Sequence, residues 1–230
     1  MPKRLAAAAA AALGLAASAV AAAPSANADV PCTIAGITPT TVVVGISPTT
    51  KRFGVRTVNC DTVEHWSIND NNPDSFMYVY TSAPYQTFSP SDNREAGAHN
   101  VTVEVSNGDY FTSARTFTRG YYLKRYAAFQ KGTFNASPEP VGKGKKITVK
   151  GRILLADWTA DRYRPAQANV QVQFRTPTGS YRTVKTVRAA STGWVSTTVT
   201  VSRTGVWRLY YPGNAIASSA VTTGDGVKVK

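Results

Sequence analysis

Val101, Val103 and Val105 alternate with Thr102, Glu104 and Ser106, and Val170, Val172 and Phe174 alternate with Gln171, Gln173 and Arg175. Successive side chains of a strand point to opposite faces, so each run predicts a strand with one apolar and one wet face. The signature recurs, cut by turn residues, along most of the chain. Residues 42–44, 53–58, 63–69, 76–80, 111–117, 147–150, 181–188 and 221–229 read as further strands, and no segment has a helical period. In residues 194–213 two β-rich runs, opening near Trp194 and Trp207, flank Ser202-Arg203-Thr204-Gly205 and stop at Pro212-Gly213. That arrangement predicts a hairpin.

Short strands at this spacing predict an all-β fold of two immunoglobulin-like or fibronectin-like β-sandwich modules, over residues 29–122 and 123–230. Residues 120–130 mark the boundary. Tyr121, Tyr122, Leu123, Tyr126 and Phe129 make this stretch too apolar for a free linker, so it reads either as a shared aromatic seam or as the first strand of the second module.

Residues 1–28 lie outside this pattern. A basic tip, Lys3-Arg4, precedes an uncharged, alanine-rich run that ends in Ser25-Ala26-Asn27-Ala28. This is the form of a cleaved signal peptide, and no later stretch has the apolar length of a membrane span. A secreted, extracellular product is expected. Export in turn changes the reading of the two cysteines, Cys32 and Cys60, which are expected to form a disulfide.

Charge then separates the halves. Residues 29–123 hold six Lys or Arg against nine Asp or Glu, whereas from Lys124 onward there are eighteen against four, a balance of −3 beside +14. Such asymmetry points the second half toward an anionic surface.

The phrase Phe134-Asn135-Ala136-Ser137-Pro138-Glu139-Pro140-Val141, the Lys143-Gly144-Lys145-Lys146 turn, Thr148-Val149-Lys150-Gly151-Arg152, Trp158, the Gly193-Trp194 step and the run from Gly205-Val206-Trp207 to Tyr211-Pro212-Gly213 together carry a family resemblance. Over residues 122–230 the chain resembles a group of exported actinobacterial proteins with tandem immunoglobulin-like modules. The resemblance implies a fold and an extracellular address, and brings no catalytic or ligand-binding residue with it.

Candidate chemistry is sparse. His65 and His99 stand at separations from Cys32 and Cys60 that match no compact zinc spacing, and their bland reading is a strand or loop surface. Asp70-x-Asn72-x-Asp74 opens like a calcium loop, but Ser75 stands where glycine is required and Thr81 where a bidentate glutamate belongs. No metal, cofactor or catalytic residue is expected. There is no Gly-x-Ser-x-Gly elbow, and acidic residues are few in the basic half, so an envelope hydrolase is the least favoured reading.

Lys143, Lys145, Lys146, Lys150 and Arg152 are the candidate polyanion site. In an exported protein the nearest polyanion is a cell-envelope polymer, and the basic residues are too dispersed over strands and turns for nucleic-acid recognition. Trp158 and Tyr163, in a polar stretch with Asp157, Asp161, Arg162 and Arg164, are the candidate glycan site, since an aromatic ring stacks on a sugar face. An inhibitor presenting one rigid loop to a secreted hydrolase is a further alternative.

Overall fold

The structure, a computed structural model, describes residues 33–59, 65–70, 78–80, 84–106 and 115–230. The expected signal peptide at 1–28, the expected 70–74 turn beyond Asp70, and Cys32 and Cys60 lie outside them. Among the described residues, apart from one short 3-10 turn at Asn93–Glu95, the regular structure is entirely β.

The N-terminal half contributes β1 (Thr33–Thr38), β2 (Thr41–Val44), β3 (Thr49–Arg52), β4 (Gly54–Val58), β5 (His65–Asp70), β6 (Tyr78–Tyr80), β7 (Tyr85–Phe88), β8 (Gly97–Ser106) and β9 (Arg115–Arg125). One sheet runs β2-β9-β8-β5-β6, and the ladders β1-β4 and β3-β7 complete the half. Ile34, Ile37, Phe53 and Phe88 from the ladders meet Val42, Val44, Val101, Val103, Tyr121 and Leu123 from the sheet in one buried cluster. Tyr121 is its hub, with Phe53 and Phe88 at 6.0 and 6.1 Å edge-on and His99 stacked at 5.0 Å.

The C-terminal half contributes β10 (Ala127–Phe129), β11 (Asn135–Ser137), β12 (Lys146–Asp157), β13 (Arg162–Pro165), β14 (Asn169–Arg175), β15 (Arg182–Arg188), β16 (Trp194–Thr200), β17 (Gly205–Tyr211), β18 (Ala220–Val221) and β19 (Asp225–Val227). The long β12 is the spine of one sheet, with β10 and β11 along one edge and β13 and β16 along the other. The facing sheet runs β15-β14-β17, and β18 and β19 both pair with β17. Ile147, Val149, Ile153, Val195 and Val199 from the first sheet pack on Val170, Val172, Trp207, Leu209 and Val227 from the second. The result is a two-sheet β-sandwich in which the chain changes sheet from β13 to β14, from β15 to β16 and from β16 to β17.

Two expectations need correction here. The run 194–213 is not a hairpin: β16 pairs with β12 and β17 with β14. Both strands are apolar on alternate positions, and the two apolar faces bury one another across the sandwich, which side-by-side pairing would not achieve. The disulfide is likewise not upheld. Cys32 and Cys60 lie outside the described residues, and β1, the strand expected to need pinning, is held to β4 by a backbone ladder from Thr33↔Val58 to Thr38↔Gly54.

The boundary stretch is part of both halves. β9 crosses residues 122 and 123, joins β2 in parallel register, and is followed after Tyr126 by β10. Ala156 and Trp158, from the far end of β12, are buried in the N-terminal core.

Candidate functional site

β12 alternates strictly over its first eight residues. Ile147, Val149, Gly151 and Ile153 are buried, which sends Lys146, Thr148, Lys150 and Arg152 to the outer face. Two residues of strand advance about 6.6 Å, so Lys146 to Arg152 spans about 20 Å. Gly151 makes no bulge, because its register to Val195 is unbroken. A glycine is used there because a Cβ would stand 2.7 Å from Leu209 Cδ1.

Lys143 and Lys145 extend the row into the turn before β12. The Gly144 N–H donates to the Val201 carbonyl at 2.8 Å and the Val201 N–H to the Lys145 carbonyl at 2.9 Å, which clamps the turn onto the end of β16. Lys143, Lys145, Lys146 and Lys150 are exposed and Arg152 is half-buried. The Arg152 guanidinium donates to the Thr192 carbonyl at 2.9 Å and to Gln130 Oε1 at 3.2 Å. None of the five forms an ion pair with a described residue. Lys146, Lys150 and Arg152 thus share the outer face of β12, and Lys143 and Lys145 are exposed in the turn that leads into it.

The neighbouring strand supplies what sequence reading missed. Across the ladder stand Thr200, Thr198, Ser196 and Trp194, opposite Lys146, Thr148, Lys150 and Arg152. Trp194 is 40% exposed. Burial of Val195 and Val199 fixes its outward direction, and that alternation was the available signal. Lys185 of β15 reaches the same strand, donating to Thr197 Oγ1 at 2.7 Å.

The candidate glycan pair is placed otherwise. Trp158 is only 5% exposed, so its ring offers no face to a sugar. Its indole N–H donates to the Gly45 carbonyl at 2.9 Å, and its backbone N–H donates to Asn93 Oδ1 at 2.9 Å. Asn93 closes the seam. Its Nδ2 donates to Asp157 Oδ1 at 2.7 Å and its backbone N–H to Thr159 Oγ1 at 3.0 Å. The Asn93 amide, together with the Ala160 N–H and the nearby Arg164 and Arg125 charges, holds the Asp157 carboxyl below its ordinary value. Tyr163 keeps a partly exposed ring, edge-on to Tyr126 at 6.2 Å.

His99 is corrected too. It is buried, with Nε2 2.7 Å from the Glu95 carbonyl, rather than on a surface. Among the described residues no group of three or more His, Cys, Asp or Glu is arranged to hold a metal ion, and no helix is long and apolar enough to cross a membrane.

No family model and no curated protein matches the chain. Solved structures resemble it loosely. A 1.5-MDa bacterial ice-binding adhesin, studied for host cell surface retention, aligns at 11% identity over 87% of this chain with a TM-score of 0.29; the alignment spans 65% of that chain. The three N-terminal domains of the bacteriophage RB49 highly immunogenic outer capsid protein align at 12% identity over 86% of this chain and 69% of theirs, TM-score 0.31. The chicken interferon gamma receptor alpha chain aligns at 12% identity over 86% of this chain and 96% of its own, TM-score 0.38. At these scores neither partner nor activity transfers.

Proposed function

We propose that this is a non-catalytic, exported binding protein of two sandwich modules, over residues 29–122 and 123–230 after a signal peptide at 1–28, and that it associates with anionic cell-envelope polymer through the C-terminal sandwich. The observation behind the reading is the row formed by Lys143, Lys145, Lys146, Lys150 and Arg152, five cations on one turn and one strand face without a carboxylate partner among the described residues. A linear array of this length suits a repeating polyanion better than a compact acid. Binding of this kind gains chiefly from released counterions and therefore weakens steeply with salt. The sequence resemblance to exported actinobacterial proteins with tandem immunoglobulin-like modules agrees with the extracellular address.

The test is a pull-down of the full mature chain on isolated envelope polymer at low and physiological salt. Changing Lys143, Lys145 and Lys146 together to Gln should weaken low-salt binding ~10-fold and flatten the salt dependence. Parent-like binding by the triple variant would sink the reading.

A second reading rests on Trp194, whose exposed ring stands beside Ser196 and Arg152 on the same face. It makes the glycan contact first expected at Trp158. Salt-resistant binding abolished by Trp194→Ala would replace the electrostatic reading with this one.

A further inference from the structure

The end of the C-terminal sandwich nearest the lysine turn does not close. Between the β14–β15 connection and the β16–β17 connection lies a cleft of about 530 Å³, lined among others by Phe174, Arg175, Arg182, Thr200, Arg203 and Trp207. That volume is within the range of small-ligand sites. Its three guanidinium groups come from three different places in the fold, and no Asp or Glu lines it.

Its floor is apolar and built. The Phe174 and Trp207 rings lie 4.7 Å apart. A Cβ at residue 205 would collide with the Arg175 carbonyl oxygen and the Phe174 ring, so Gly205 is what lets β14 close onto β17 at this point. Trp207 is 3% exposed, and its indole N–H has no hydrogen-bond partner. Buried donors are almost always paired, and this one belongs to a residue that lines a cationic cleft.

The other cleft, about 340 Å³ and lined by Arg125, Asp157 and Arg164, differs in the decisive respect. There Arg164 already engages Asp157 at 3.0 Å. In the end cleft Arg182 and Arg203 are exposed and form no ion pair with a described residue. Arg175 is steered by the Pro177 carbonyl at 3.0 Å and lies 5.2 Å from the Tyr181 ring.

We infer that this cleft binds the phosphate group of a phosphorylated polyol or sugar. Guanidinium groups that line one cleft from separate elements suit the several oxygens of a phosphate. The Phe174–Trp207 floor takes the carbon skeleton, which makes the Trp207 indole the reporter of occupancy. Thr200 lies opposite Lys146 in the β12–β16 ladder, so the lysine row leads to the mouth of the cleft. The inference thus deepens the polymer reading on which it rests, by assigning one phosphate unit a pocket.

The experiment titrates the ¹⁵N-labelled full mature chain with glycerol 3-phosphate, with glucuronate as the carboxylate arm and glycerol as the neutral one. Glycerol 3-phosphate should move one tryptophan indole signal, the one missing from Trp207→Phe. Arg182→Gln and Arg203→Gln, both at exposed positions, should each raise the dissociation constant at least tenfold. Unchanged titrations in both arginine variants, or no indole shift in the parent, overturn the inference; equal or tighter binding of glucuronate overturns the phosphate assignment. The Lys143, Lys145 and Lys146 triple Gln variant separates the two claims. If it loses polymer but glycerol 3-phosphate still moves Trp207, both stand. If polymer binds the parent and glycerol 3-phosphate moves no indole, the cleft alone falls. If polymer fails to bind the parent while Trp207 still responds, the polymer reading alone falls.

Discussion

The indole N–H of Trp158 and the carbonyl of Gly45, 113 residues apart in the chain, are joined by a hydrogen bond of 2.9 Å. A side chain just beyond the end of β12 thereby completes the core of the N-terminal half. Removing a buried Trp costs about 3–5 kcal/mol, so Trp158→Ala should lose that much and split unfolding into two transitions. Trp158→Phe keeps most of the packing and should lose about 1–2 kcal/mol for the missing donor. Urea unfolding followed by both circular dichroism and fluorescence distinguishes these outcomes; a single, unshifted transition in Trp158→Ala contradicts the account.

Two glycines with the same backbone geometry should respond differently. Gly193 and Gly144 both have φ of +78°, but a Cβ on Gly193 would sit 2.5 Å from the Ile153 carbonyl oxygen, whereas nothing lies within 4 Å of one on Gly144. Gly144→Ala should cost about 1–2 kcal/mol for the left-handed conformation alone, and Gly193→Ala about 3 kcal/mol or more. Equal midpoints in thermal melts would count against the close approach of the β15–β16 turn to β12.

Acid should loosen the seam through Asp157. Its carboxyl is held below the ordinary value, first by the Asn93 amide, so the stabilisation is fully present above the unfolded value of about 3.9 and is lost as pH falls through the folded value. Unfolding midpoints measured from pH 6 down to pH 3 should decline, and the decline should be shallower in Asp157→Asn. An identical slope in the variant rejects this assignment.

The individual strands were legible because burial imposes a period of two, as Val170, Val172 and Val101, Val103 display. Their partners were not. The alternating faces of β16 and β17 are the same whether the strands lie side by side or face one another, since a period of two reports a face and not a neighbour. Trp158 was misplaced for a related reason. Its neighbours Asp157, Thr159 and Asp161 are polar because they bond across the seam or meet water at its rim, and composition cannot tell a polar seam from a polar loop. In β12, by contrast, the reading that Ile147 and Val149 point one way and Thr148 and Lys150 the other holds in the structure.

Residues 120–130 should resist proteolysis despite Lys124 and Arg125. Their backbone is engaged on several sides: the Tyr122 N–H donates to the Thr40 carbonyl at 3.0 Å, the Arg125 N–H to the Ile216 carbonyl at 3.0 Å and the Tyr126 N–H to the Val44 carbonyl at 2.8 Å. A protease needs several residues of free backbone, which this stretch lacks. Limited trypsin treatment followed by mass spectrometry should leave it intact, and early release of two stable halves would refute the prediction.

The parallel pairing of β2 with β9, Thr41 against Tyr122 through Val44 against Arg125, also decides how the chain answers tension. Traction entering at the start of β2 and leaving at the end of β9 pulls the two strands along their length, so all the rungs between them resist together. Antiparallel neighbours joined by a tight turn peel one rung at a time. The C-terminal sandwich repeats the device where Val141 bridges Val229 in parallel, with the Val141 N–H on the Lys228 carbonyl and the Lys230 N–H on the Val141 carbonyl, both at 2.9 Å. A protein fastened to an envelope at one end and tugged from the other would therefore stretch little before it broke, and behave as a strut more than as a spring.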